Sequence, residues 1–451
     1  MARIYIDVTQ SLRWGPHPPV GIPRVEFAIA RYAFHQSDIP VSFFTVDRSG
    51  CSRILNAREQ AYLAALVDQT IPVIGQSDHR KTFLGRALVI LRSMHAGAWI
   101  ADREFDRISA AYLAKASDRR GVVYNLAKVS IRAIKAVYGG VFSRRNQNVD
   151  PLLDPNAECF LSFIGIHEIS RKRRSVPVKA KITTILHDLI LLEYPQFADP
   201  WRAKKFSADI AWMFSQCRKI VCVSASTLES GRAYLTHARN SPPASLSVCR
   251  LGSFLLTSME SRTSEPVEHL EPGRFALYCS TIEIRKNHIT LLRVWLTLMS
   301  VLKDSLPTLV FCGRWGWMVD EITDFLNAHP EVRQKVVFLS GVTDPKLAWL
   351  YSNARFGLYP SVAEGWGLGA AESLDFGLPI LISDAPALAE ATQNLMPVTP
   401  ADDLDAWCDI VSRAALDDVW LQKLKDTISL RYKPITEAAF ADTFLKILTQ
   451  P

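Results

Sequence analysis

Glu364 and Glu372 frame the string Glu364-Gly365-Trp366-Gly367-Leu368-Gly369-Ala370-Ala371-Glu372. Apolar runs at 355–360 and 378–382 flank it and read as strands. The first carboxylate therefore falls in a strand-to-helix turn and the second inside the helix that follows. Three glycines open that helix, so its first backbone N–H groups can approach an anion closely. Eight residues of helix span about 12 Å. Carboxylates that flank one glycosidic bond in a hydrolase lie roughly 5–9.5 Å apart. The two glutamates are read instead as touching different ends of one long ligand, a sugar joined through phosphates to a nucleoside.

Other residues fit such a ligand. Arg285-Lys286 follows a strand at 275–279 and its turn, where two adjacent bases suit a diphosphate. Gly313-Arg314 follows the next strand, at 308–312, and is placed near the nucleotide. Gly21-Ile22-Pro23-Arg24 opens a helix with Pro23 in its first turn, after a loop in which Trp14 and His17 are candidate acceptor contacts. His187-Asp188 ends a strand at 182–186, and Asp188 is available to orient the imidazole. A rival pattern overlaps the glutamates. Gly365-x-Gly367-x-x-Ala370, with Asp384 downstream, fits a dinucleotide fingerprint and keeps a nicotinamide oxidoreductase open as an alternative. Its first glycine stands several residues past the strand, a Glu precedes it, and the unit is the fourth of its domain. A catalytically silent nucleotide-sugar-binding protein is the other alternative.

The Glu-x7-Glu string with its interior Gly-Trp-Gly-Leu resembles the signature of retaining family 4 glycosyltransferases, of the bacterial polysaccharide and O-antigen type such as mannosyl- or rhamnosyltransferases. The segment 280–288, Ser-Thr-Ile-Glu-Ile-Arg-Lys-Asn-His, resembles that family's phosphate-binding segment. The resemblance implies a GT-B fold, two Rossmann-like domains facing a cleft. It implies that Glu364 meets the donor sugar, Glu372 the ribose, and Arg285 and Lys286 the leaving diphosphate, with Thr281, Gly313, Gly365, Trp366, Gly367 and Leu368 lining the nucleotide-sugar site. Gly21 would approach the diphosphate from the other domain, and His187 would stand over the sugar. It further implies hexosyl transfer (mannose, rhamnose or glucose type) from a nucleotide-diphosphate sugar to a glycan or lipid-linked glycan. No metal and no cofactor beyond the donor are expected. The resemblance is good over 275–392 and rests on short strings before 250.

The elements that must position these residues are α/β. Strands at 275–279, 308–312, 335–340, 356–360 and 378–382 alternate with helical patterns, which predicts a parallel doubly wound sheet. The first half alternates less clearly, with strands at 4–8, 41–46, 159–163, 182–186, 220–223 and 246–249 and an insertion over about 50–150. The expected domains are 1–254, 273–430 and a terminal helix within 431–451 that crosses back to the first domain, with a linker at 255–272.

The chain has 451 residues, 48% of them hydrophobic, which suits a globular enzyme. No charge-free apolar stretch reaches 18 residues, and the N-terminus reads as a strand rather than a signal peptide, so a cytoplasmic location is expected. The eight cysteines are scattered without metal spacing, and Asp403-x-Asp405 lies far from the other motifs. Net charge is +7, and seven bases with no acid lie between Asp118 and Asp150. Lys128, Arg132 and Lys135 share one face of a helix within 119–145, as expected for a peripheral contact with an anionic membrane surface. Arg171-Lys172-Arg173-Arg174 adds a second basic cluster. No nucleic-acid partner is expected, because no recognition-helix or aromatic-interleaved motif accompanies these bases.

Overall fold

A computed structural model describes residues 3–15, 21–46, 52–68, 150–162, 178–237, 244–260 and 262–450. The basic helix 119–145, the cluster 171–174 and His17 lie outside the described residues. The strands form two sheets, one of β1–β7 and one of β8–β13. The chain divides into two compact units, Met1–Ile182 and Thr183–Pro451.

In the first unit, β1 (Arg3–Asp7) lies between β2 (Val41–Val46) and β4 (Ala157–Phe160), parallel to both. The short β3 (Ser52–Ile54) pairs antiparallel with β2, an edge strand that its three residues left unreadable in the sequence. Every residue of β4 is buried, as a parallel strand covered on both faces requires. The helix Ile22–His35 begins after Gly21, whose φ of 58° is a left-handed conformation that glycine adopts without strain.

The second unit begins with β5 (Lys181–Leu186), β6 (Lys219–Cys222) and β7 (Ser245–Val248), all parallel. Its other sheet holds β8 (Phe275–Cys279), β9 (Thr308–Cys312), β10 (Val336–Leu339), β11 (Phe356–Tyr359), β12 (Ile380–Ser383) and β13 (Val398–Thr399), in the order β10-β9-β8-β11-β12-β13. Successive strands are laid down outward from β8 in one direction and outward from β11 in the other. The crevice at the carboxyl ends of β8 and β11 is therefore the switch point where α/β sheets bind ligands. The core behind it includes Phe311, Phe356, Trp295 and Trp407, all fully buried. Each such side chain contributes about 1.5–3 kcal/mol relative to exposure. The last helix, Glu437–Thr449, packs on β6 and on the helix Phe254–Met259: Lys219 Nζ donates to Ile447 O at 2.7 Å, and the Phe254 and Phe440 rings meet edge-on at 5.7 Å. That helix, Phe254–Met259, occupies the start of the stretch read as a linker.

Among the described residues, no helix is long and apolar enough to cross a membrane. The described cysteines carry no disulfide.

Candidate active site

The loops that leave β8 and β11 meet at the switch point. After β8 the chain makes a short 3-10 turn, Ile284–Lys286, and then Asn287 takes φ 57° before the helix His288–Leu302. Asparagine tolerates this left-handed geometry better than most residues. Its side chain also fixes the loop: Nδ2 donates to Pro360 O (3.2 Å) and Ala401 O (2.9 Å), and Oδ1 accepts from Thr290 Oγ1. Tyr278 Oη donates to Lys286 O at 2.7 Å. Both basic side chains are thereby aimed at the turn after β11.

Glu364 sits between them. Arg285 Nη1 lies 3.2 Å from Glu364 Oε2, and Lys286 Nζ pairs with Oε1. The Glu364 side chain is only 6% exposed and that of Lys286 8%. Burial by itself raises a carboxyl pKa. Here Lys286 and Arg285 outweigh it and hold Glu364 down at about 2. Burial lowers the Lys286 pKa, while for Arg285 burial is more than offset by Glu364, Glu283 and Asp188, and its pKa rises. Lys286 Nζ also donates to Tyr359 Oη at 3.3 Å and lies 5.2 Å from the centre of that ring. Arg285 Nη1 donates to Ala363 O at 2.9 Å, and Nε lies 2.7 Å from Glu283 Oε1.

The glycines of the motif act mainly through close approach. A Cβ on Gly365 would stand 1.8 Å from His187 O, so only glycine lets this turn lie against the end of β5. Gly365 O accepts from Thr227 Oγ1 at 3.1 Å. Gly367, with φ 95°, caps the helix Leu368–Asp375, and a Cβ there would meet Leu388 Cδ2 at 2.4 Å. Gly369 packs on Cys279 O. Besides leaving the backbone open, these glycines bring three chain segments into contact.

His187 is thus placed beside the Glu364 turn. Its imidazole makes no hydrogen bond among the described residues, and burial pushes its pKa down to about 4, so it is neutral at physiological pH. Asp188 does not hold it. The Asp188 carboxylate accepts from Ile190 N at 3.2 Å and lies in the field of Arg285; burial, the larger effect, raises its pKa. Ile190 and Phe197 pack against Ala363, which ties the loop after β5 to the Glu364 turn.

Glu372 is buried one turn into its helix and accepts from Tyr351 Oη at 3.1 Å. Thr281 and Gly313 stand in the neighbouring turns after β8 and β9, where a Cβ on Gly313 would collide with Ser280 O at 1.7 Å. Leu368 is the first, partly exposed residue of the helix. Trp366 is buried, its indole N–H has no partner among the described residues, and it lines a cavity of about 570 Å³ with Arg250, Ser253, Glu390 and Tyr432. Gly21 belongs to the first unit. Asp403 is a helix cap, accepting from Ala406 N at 2.9 Å, and Asp384 accepts from Ala401 N at 3.1 Å. The sequence reading assigned nothing to Glu283, Asn287, Thr227 or Tyr359. Their signal was position only, next to residues that carried charge.

Residues 261–407 match the family described as glycosyl transferases group 1. A stretch of 219 residues is 27% identical to the serotype-specific mannosyltransferase WbdA of Escherichia coli, covering 47% of this chain and 27% of that protein. Another, of 146 residues, is 31% identical to O-antigen chain mannosyltransferase B of Escherichia coli, covering 32% of this chain and 38% of that protein. The chain therefore spans well under half the length of these relatives. In fold it is similar to sucrose-phosphate synthase from Thermosynechococcus elongatus (TM-score 0.58, 15% identity, 99% of this chain and 98% of that one). It is also similar to Anabaena HepE in complex with UDP and glucose (TM-score 0.54, 11% identity, 100% of both chains). With its two largely parallel Rossmann-like sheets, the chain has the GT-B fold, and its residues 261–407 match the glycosyl transferases group 1 family.

Proposed function

We propose that this protein moves a hexosyl group, of the mannose, rhamnose or glucose type, from a nucleotide-diphosphate sugar to a hydroxyl of a glycan or lipid-linked glycan. The configuration at the anomeric carbon is retained and no metal takes part. One observation carries the reading: a buried carboxylate kept ionised by a buried lysine and a part-buried arginine at the sheet's switch point. The ionised Glu364 stabilises positive charge that develops on the donor sugar. Arg285 and Lys286 meet negative charge that develops on the departing diphosphate. Both charges are present before the donor arrives, so little reorganisation is needed during reaction. The leaving phosphate takes the acceptor's proton, and a neutral His187 beside the Glu364 turn offers the sugar an uncharged polar contact. The names of the two relatives favour mannose among the hexoses. The nicotinamide reading loses support, since Gly365 is packed on the His187 carbonyl, Gly367 on the Leu388 side chain, and Asp384 is engaged by Ala401 N.

The site's natural location is the cytoplasmic face of a membrane that holds the acceptor. The test uses the purified full chain with GDP-, UDP- and dTDP-hexoses, an acceptor glycan, and EDTA in a parallel series. Nucleoside diphosphate release with one donor, undiminished by EDTA, and a product whose anomeric signal matches the donor's in NMR are expected. An inverted product overturns retention. A thermal shift with NAD(P) and none with any nucleotide sugar overturns the whole reading.

A further inference from the structure

Arg285 is held on two of its three guanidinium nitrogens, and the groups holding them differ. Nη1 faces Glu364 Oε2 (3.2 Å) and Ala363 O (2.9 Å), both on the loop after β11. Nε faces Glu283 Oε1 (2.7 Å), two residues back on its own loop. Nη2 has no partner among the described residues. The Glu283 side chain is 2% exposed, and the contact on its Oε1 is a charge contact rather than an aligned hydrogen bond. Glu283 is fixed from outside as well: Ile282 next to it donates its N–H to Arg314 O at 2.9 Å, and a Cβ on Gly316 would lie 3.2 Å from Glu283 Cβ. A buried carboxylate on a braced loop is costly unless paired. Its ion-pair contact among the described residues is Arg285 Nε, not the Nη1 that meets Glu364.

We propose that Glu283 is a positioning residue. It pins the Nε edge of Arg285, so that the guanidinium cannot turn to grip Glu364 with two parallel bonds. Arg–carboxylate pairs favour that bidentate fork. Formed here, it would turn Nη2 away from the diphosphate and draw Glu364 off Lys286. Glu283 thus keeps one guanidinium nitrogen for the leaving diphosphate and one carboxylate for the sugar. This inference rests on the donor-site reading above and adds a residue to it that does not itself touch the donor.

The sign of one measurement separates positioning from simple charge. By charge alone, removing a carboxylate beside an anion site strengthens anion binding. If Glu283 positions Arg285, the same change weakens it. The test measures binding of the free nucleoside diphosphate that the active donor releases, by calorimetry, to the full chain, Glu283→Gln, Arg285→Ala and the double variant. Glu283→Gln is expected to bind roughly tenfold more weakly, the scale of one charge-assisted hydrogen bond. In the Arg285→Ala background the same substitution is expected to change little. Glu283→Asp, which keeps the charge with a shorter reach, is expected to recover part of the loss, and it serves in place of Gln if that variant does not fold. Unchanged or tighter binding by Glu283→Gln overturns the inference, as does an equal loss without Arg285. Failure of the unsubstituted chain to bind any nucleoside diphosphate overturns the donor-site reading instead.

Discussion

Each sheet has a switch point, and the two treat buried carboxylates in opposite ways. In the second unit, Glu364 meets Lys286 and Arg285, and its pKa falls to about 2. In the first unit, β1 has β2 on one side and β4 on the other and ends at Asp7. Asp7 Oδ1 accepts from Thr9 N at 3.0 Å and Oδ2 from Ser162 N at 3.2 Å. Glu26, on the helix Ile22–His35, accepts from Ser11 Oγ at 2.6 Å. Burial and then Asp7 raise the Glu26 pKa to about 7, against smaller opposing effects of Ser11 and Ser162. Both glutamates are withdrawn from water, which alone raises a pKa. The charged neighbour decides the outcome, and it decides chemistry too. A carboxylate kept ionised suits a site that stabilises positive charge. One that is half-protonated near neutrality carries a reduced charge and holds a loop in place through Ser11.

The largest expected effect comes from taking the charge off the second site. Glu364→Gln should lower turnover about a hundredfold or more, the scale for losing one well-placed electrostatic group. It should also change the acid stability of the protein. A carboxyl whose pKa is depressed from 4.5 to about 2 contributes stability above pH 4.5 that is lost as pH falls toward 2. The contribution is on the order of 3 kcal/mol. The Gln variant should lack that part of the acid transition in a thermal-unfolding series. Near-normal transfer by the variant would show that the ionised state is structural and not catalytic.

A smaller effect should follow from disturbing position without charge. Gly365→Ala places a methyl group 1.8 Å from His187 O, and the turn must move. Overpacking of this kind costs roughly 1–3 kcal/mol, and turnover should fall about tenfold because Glu364 moves with the turn. Equal turnover in steady-state assays would mean that the spacing between His187 and Glu364 is not critical.

The smallest effect tests the other half of the comparison. A carboxyl with a raised pKa favours its protonated form in the fold, so its contribution is complete below 4.5 and is lost as pH rises through about 7. Glu26→Gln removes that titration. Thermal unfolding from about pH 5 to about pH 9 should show a shallower alkaline decline than in the unsubstituted chain, by a few degrees at the upper end. Parallel slopes for the two proteins would mean that Glu26 is ionised throughout and that the two switch points differ less than described.

The sequence by itself determined the scaffold of the second unit. The apolar runs 275–279 and 308–312 became β8 and β9 without change, and 356–360 became β11 within one residue. Strands buried on both faces of a parallel sheet are continuous apolar runs, and such runs are written directly in the chain. Glu364, Arg285 and Lys286 were legible as charged groups at strand ends. What the sequence left open was decided by contacts across long separations. Arg285 and Lys286 lie 79 and 78 positions from the Glu364 they pair with, and periodicity carries no information about that meeting. The sequence suggested no reason for glycine at 365 beyond close approach to an anion, whereas a carbonyl 178 residues away, that of His187, by itself requires glycine there. Glu283 carried only its place in the 280–288 segment and Glu26 no visible signal, since a carboxyl group's charge and role depend on its neighbours. Residue types and local periodicity determine which groups stand at the ends of strands. Only the tertiary structure decides which of them share a low-dielectric space, and that sharing sets their charge.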